Sequence, residues 1–206
     1  TQGVRVYLIL HLRMTGSLLV QPASQEPPSH TRTAFALDDG RELRFADPRK
    51  LGMMWLVEDP GPVLSGLGPE PLEPGFTPQV LWERLNGRRA PVKALLCDQS
   101  VVAGIGNIYA DEVLFEAGIH PLRAAATLSP QDVDRLHRAI VTVLPRAIQR
   151  LAAVVPLGGP PTESEEGLST LAVPRREGAQ CHRCGGAVQR LVVRGRSAYF
   201  CPSCQQ

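Results

Sequence analysis

At 206 residues and 43% hydrophobic content, the chain is long enough for one large domain or two small ones, with an ordinary globular core. No apolar run approaches the roughly 20 residues that cross a bilayer, and Thr1-Gln2-Gly3-Val4-Arg5 lacks a basic segment followed by an apolar core, so neither a membrane span nor a secretory leader is expected. A net charge of +2 names no partner by itself.

Residues 4–57 read as β structure. Val4–Leu12 is rich in β-formers, and Leu18-Leu19-Val20 follows the turn-like Thr15-Gly16-Ser17. Thr33–Leu37 and Glu42–Phe45 flank Asp38-Asp39-Gly40-Arg41, a hairpin signature, and Met53–Val57 reads as one more strand. Residues 21–29 form a polar, proline-bearing loop, and residues 59–77 are rich enough in proline and glycine to be a linker. Helical patterning then takes over, at Pro78–Leu85, Val92–Asp98 and Ile108–Ala117, the last ending at Gly118. Ser129 is placed to cap a long helix that starts at Pro130 and runs towards Val155. Residues 156–176 read as a mobile loop with the acidic patch Glu163-Ser164-Glu165-Glu166. The layout is a β half, a hinge, a helical half at 78–155, a loop, and a cysteine-bearing hairpin at 177–206.

That last segment carries the strongest signal. Cys181 and Cys184 form one Cys-x-x-Cys pair, and Cys201 and Cys204 form another. Each pair offers two thiolates from one tight turn, and two such turns complete a tetrahedron around one structural zinc. Two disulfides or free thiols are the alternative. Between the pairs, residues 188–200 read as a strand, an Arg194-Gly195-Arg196 turn and a second strand. From Leu171 to Gln206 six arginines face one acid, Glu177. This excess suggests a polyanion, although a solvated surface would show it too. The fifth cysteine, Cys97, lies in an apolar stretch and is expected to be a buried core thiol.

A second motif lies between two predicted helices. Gly104 and Gly106 let a ligand approach the backbone, Asn107 stands where an N-cap belongs, and the amides that open the next helix favour an anion within reach of Lys93. A tight helical corner would look the same.

Taken together, these segments resemble the formamidopyrimidine-DNA glycosylase and endonuclease VIII family. The resemblance rests on Gly104-Ile105-Gly106-Asn107-Ile108-Tyr109-Ala110, Gly118-Ile119-His120-Pro121, His11–Leu18, Asp47-Pro48-Arg49-Lys50-Leu51-Gly52, Leu67–Leu72 and Arg196–Cys204. It implies an α+β fold: a partial N-terminal β-sandwich over residues 1–58, a helix–two-turn–helix domain, and a C-terminal zinc-finger hairpin. It also implies a monomeric, cytosolic base-excision repair enzyme that flips oxidised purines out of damaged double-stranded DNA and then nicks the strand.

Site residues carry over by position. Met14 matches the side chain that fills the hole left by the flipped base; a core methionine is the alternative. Arg49 matches the reader of the orphaned partner base, which favours the formamidopyrimidine branch. Leu51 matches a second wedge that is usually phenylalanine, and so departs from the pattern. His30 matches a DNA-contacting histidine. Lys93, Gly106, Asn107 and Arg196 match the clamp on the flipped nucleotide's phosphates, with plain surface charge as the alternative for Lys93 and Arg196. Nothing in residues 1–20 resembles the family's N-terminal proline nucleophile and its glutamate, so this chain is expected to lack roughly the first quarter of the protein and, alone, its lyase chemistry. The acidic patch at 163–166 replaces the family's usual aromatic or basic residues. A non-catalytic damaged-DNA-binding protein of the same fold, and an RNA-binding zinc-ribbon protein, are the other readings.

Overall fold

A computed structural model describes residues 5–154 and 171–206. The acidic patch at Glu163–Glu166, and most of the loop expected at 156–176, lie outside the described residues. The chain divides into two compact units, one built on residues up to 65 and the other on residues 66–151 with the C-terminal segment.

Among the described residues the first unit holds five strands in two antiparallel sheets. β1 (Tyr7–His11) pairs with β5 (Met53–Val57). β2 (Ser17–Pro22), β3 (Thr31–Ala36) and β4 (Arg41–Ala46) form the other sheet, with β4 in the centre. The β3–β4 connection is the expected hairpin, with Gly40 at a φ of 79°. In β3 half-buried and exposed residues alternate, as one solvated face demands. The Phe45 ring is buried between two glycines, and a Cβ at Gly16 or Gly52 would press into it. Arg44 is enclosed with Glu42 and donates to the carbonyls of Pro22 and Gln25, which ties the polar loop down. One short helix, α1 (Gly61–Leu64), closes the unit.

In the second unit α2 (Pro78–Leu85) begins at an N-cap, Thr77, whose hydroxyl accepts from Val80 N–H. α3 (Val92–Leu96) is two residues shorter than expected. α4 (Asn107–Ala117) ends at Gly118, which takes the left-handed conformation that helix termini ask of glycine. α5 spans Pro130–Val154. At its start Ser129 and Asp132 exchange hydrogen bonds, each side chain accepting from the other's backbone amide. The core is apolar, with Leu81, Leu96, Val101, Ile105, Leu114, Leu136 and Ile140 fully enclosed. β6 (Gln189–Val193) and β7 (Arg196–Phe200) form the C-terminal hairpin. Its two turn residues, Arg194 and Gly195, both have positive φ, the geometry that fits a two-residue turn to twisted strands.

Candidate metal centre and nucleic-acid interface

The four thiols of Cys181, Cys184, Cys201 and Cys204 lie within 4.8 Å of one another. Two sulfur pairs, Cys181–Cys204 and Cys184–Cys201, are 3.9 and 3.5 Å apart. Four sulfurs at about 2.3 Å from a zinc ion sit about 3.8 Å from each other, so the cluster fits that ion. All five cysteines are free thiols, which removes the disulfide alternative. Each knuckle closes on its first cysteine: Gly185 N–H donates to the Cys181 carbonyl and Cys204 N–H to the Cys201 carbonyl. The thiols titrate as a set: the Gly186 amide, first among several hydrogen bonds, lowers Cys184 to about 7, while burial, first among the causes, raises Cys201 and pushes Cys204 up to about 12, so a bound cation is what would hold all four as thiolates. Bound zinc would crosslink the two knuckles; it has no open position for chemistry.

The hairpin is docked on α4. Asp111 Oδ1 is 2.6 Å from Lys93 Nζ, and Asp111 Oδ2 accepts from Arg175 Nη1 at 2.9 Å and from Tyr199 N–H at 3.3 Å. Glu112, the next residue, takes the amides of Ala172 and Val173 at 2.8 Å each. Arg183 lies over the Phe115 ring and donates to the Phe115 carbonyl near the C-terminal end of α4. Burial raises the carboxyls of Asp111 and Glu112 and lowers the Lys93 amine, while the Lys93–Asp111 attraction opposes the first and the last. Two adjacent acids, Asp111 and Glu112, among the apolar residues of α4 are the sequence signal for this joint, and the motifs do not include their role.

Lys93 is only 1% exposed and donates from Nζ to the Ser197 carbonyl at 2.7 Å. It is therefore no surface cation, and its alternative as plain surface charge falls. It lines a cavity of about 210 Å³ with Ala94, Cys97, Asp98, Val193, Arg194 and the exposed Arg196. The fold thus brings Lys93 and Arg196 to one cavity. Cys97, expected in the core, is half-buried in that wall, where burial pushes its thiol up and Arg196 opposes the shift.

At the glycine corner the Gln99 side-chain oxygen accepts from Gly104 N–H at 2.8 Å, and its amide donates to the Ile105 carbonyl at 3.0 Å. Gly104 has a φ of 77°. The N-cap of α4 is Gly106, not Asn107: Asn107 is the first helical residue, and no side chain caps the opening amides. Gly106 is exposed, with nothing within 4 Å of where a Cβ would stand. Asn107 Oδ1 is buried without a hydrogen-bond partner among the described residues. It shares a helix face with Asp111, four residues on.

The first unit displays the other residues. Met14 is 75% exposed, which removes the core-methionine alternative, and Arg49 Nη1 reaches to 3.8 Å from its sulfur. His30 and Leu51 are exposed as well. Arg13, His30 and Lys50 all have positive φ, unusual for residues other than glycine, so the β1–β2, β2–β3 and β4–β5 loops each turn a tight left-handed corner.

A thiolate-clustered hairpin docked on a glycine-cornered helix pair defines a helix–two-turn–helix protein with a C-terminal zinc finger. Residues 2–54 match the formamidopyrimidine-DNA glycosylase N-terminal domain, residues 67–155 that enzyme's H2TH domain, and residues 180–206 a zinc finger found in FPG and IleRS. A formamidopyrimidine-DNA glycosylase of Symbiobacterium thermophilum is 47% identical over 209 residues, covering 98% of this chain and 68% of that protein. Among solved structures, MutM in complex with carbocyclic 8-oxo-G-containing DNA aligns at a TM-score of 0.86 and 34% identity, covering 99% of this chain and 76% of that one. The Lactococcus lactis FPG with Fapy-dG-containing DNA aligns at 0.84 and 33%, covering 98% and 75%. The chain belongs to the formamidopyrimidine-DNA glycosylase family.

Proposed function

We propose that this protein is a base-excision repair glycosylase that takes oxidised purines, 8-oxoguanine and formamidopyrimidines, out of duplex DNA by base flipping. The observation that carries this reading is the side-by-side display of Met14 and Arg49. A thioether and a guanidinium on adjoining loops suit a wedge and a base reader: one fills the vacated stack, and the other donates to the orphaned base. Leu51 is the second wedge, and His30 a phosphate or sugar contact.

In the second unit the cavity of Lys93 and Arg196 is a phosphate seat. Two of the three Lys93 ammonium protons go to Asp111 and Ser197, and the third is assigned to the phosphate. Gly106 gives backbone access, and Asn107 with the uncapped amides of α4 completes the grip. The family relatives that were solved with Fapy-dG and 8-oxo-G DNA support the lesion class.

An AP lyase activity is assigned as well. Nothing in residues 1–20 resembles the amine nucleophile that the family resemblance implies, so these 206 residues by themselves are assigned lesion binding without strand cleavage. It acts as a monomer, in the cytosol. The test is twofold. The chain binds an 8-oxoguanine duplex more tightly than an undamaged one, and Arg49→Ala erodes the preference for cytosine opposite the lesion. Borohydride trapping on an abasic duplex yields no covalent adduct. Equal binding to damaged and undamaged DNA would end the lesion assignment, and a robust adduct would end the claim about the nucleophile.

A further inference from the structure

Three proposed DNA-facing residues of the first unit, His30, Arg49 and Leu51, and Thr15, the chain neighbour of a fourth, Met14, converge on one residue whose side chain faces no solvent. Asp47 is fully enclosed. Its Oδ1 accepts from the Thr15 hydroxyl at 2.6 Å and from Arg49 N–H at 3.2 Å. Its Oδ2 accepts from Leu51 N–H at 2.7 Å and from Gly52 N–H at 2.8 Å. Its own N–H donates to the His30 carbonyl at 3.0 Å. Arg32 braces the same residue from outside, with Nε donating to the Asp47 carbonyl at 2.8 Å. Thr15 is the chain neighbour of Met14, so a single carboxylate ties the wedge loop to the reader loop.

We infer that Asp47 and Thr15 are positioning residues that lock the Met14 loop and the Arg49–Leu51 loop into one rigid insertion element, so that wedge and base reader enter the duplex together. Three observations support this. Charge-assisted hydrogen bonds to a desolvated carboxylate are short and strong. The left-handed corners at His30 and Lys50 need surroundings that over-determine them, and Asp47 holds both: its N–H donates to the His30 carbonyl, and its own carbonyl accepts from Lys50 N–H at 3.4 Å. The Met14–Arg49 contact shows that the two loops already meet at their tips. The carboxyl, lowered to about 2 by the Thr15 hydroxyl first and the loop amides after it, stays ionised at any working pH.

This inference rests on the assignment of Arg49 as base reader, and the experiment keeps the two apart. Equilibrium binding is measured on 8-oxoguanine duplexes with cytosine or adenine opposite, for the wild type, Arg49→Ala, Thr15→Val, Thr15→Ser and Asp47→Asn. Amide hydrogen exchange is followed at Leu51 and Gly52 in the free proteins. Thr15→Val, which touches neither base nor reader, is expected to cut the cytosine preference by about tenfold, the scale of one well-made base contact. The same change accelerates exchange at Leu51 and Gly52, on the other loop. Thr15→Ser, which keeps the hydroxyl, restores both readouts. A merely structural weakening would lower affinity for both duplexes alike and leave the ratio standing. Unchanged exchange and an unchanged ratio in Thr15→Val would overturn the proposal, even should Asp47→Asn fail to fold. If Arg49→Ala leaves the ratio intact, the reader assignment fails, and hydrogen exchange alone then decides whether the two loops are coupled.

Discussion

Residue chemistry decides what Lys93 is for. The sequence offers Lys93 as part of a phosphate clamp, with surface charge as the alternative, and nothing nearby in the chain announces Asp111, eighteen residues on. The fold closes the pair away from water, and burial then sets its energetics. Removing one partner leaves an uncompensated buried charge, so Asp111→Ala is expected to destabilise the protein by about 3–5 kcal/mol. A urea unfolding midpoint measures this; a loss under about 1 kcal/mol would mean that the pair is hydrated after all. Two other carboxylates, Asp47 and Asp132, are held at about 2. At Asp132 burial pushes upward and is outweighed by the Ser129 amide and hydroxyl and by Arg123. Both values lie below the unfolded range, so the stability these groups contribute is fully present above about pH 4 and is lost as pH falls towards 2. Denaturation curves across that window should show the fall, and Asp47→Asn or Asp132→Asn should flatten it.

Among the elements, legibility followed locality. The β3–β4 hairpin was visible because Asp38-Asp39-Gly40-Arg41 encodes its own turn. The bounds of α2, Pro78–Leu85, were visible because helical patterning begins there at a proline, which suits a first helical position. The cysteine knuckles were visible because spacing within a turn fixes sulfur geometry. What stayed hidden needed a distant partner: the docking of α4 through Asp111 and Glu112, the placement of Cys97 in a cavity wall, and the hub at Asp47. The shift of the α4 cap from Asn107 to Gly106 was hidden for another reason, since either residue type serves as an N-cap. Gly68 is a further case of long-range cause. It lies against the Val101 backbone, with Gly68 N–H donating to the Gln99 carbonyl at 2.7 Å, and a Cβ there would collide with main chain that has little freedom to move. Gly68→Ala is therefore expected to cost about 1–3 kcal/mol, the usual penalty of overpacking. The α2–α4 unit would show it as a lowered thermal midpoint, whereas an unchanged midpoint would mean that the Leu67–Leu72 segment yields.

At the scale of the whole molecule, the metal hairpin is proposed to support DNA binding and to take no part in the chemistry. The protein should carry one zinc per chain. Zinc removal should abolish amide protection at Val193 and Ala198 while leaving that of β2 and β4 in place, since metal binding and folding are one equilibrium in such hairpins. Retained protection in the hairpin after chelation would show that packing on α4 suffices without the ion. The central claim is that Arg196, at the tip of that hairpin, neutralises a DNA phosphate at the cavity it shares with Lys93. The salt dependence of binding to an 8-oxoguanine duplex tests this most directly. Plotted as log affinity against log salt, Arg196→Ala should be shallower than the wild type by about 0.9, the release of counterions from one phosphate. Parallel lines for the two proteins would contradict it.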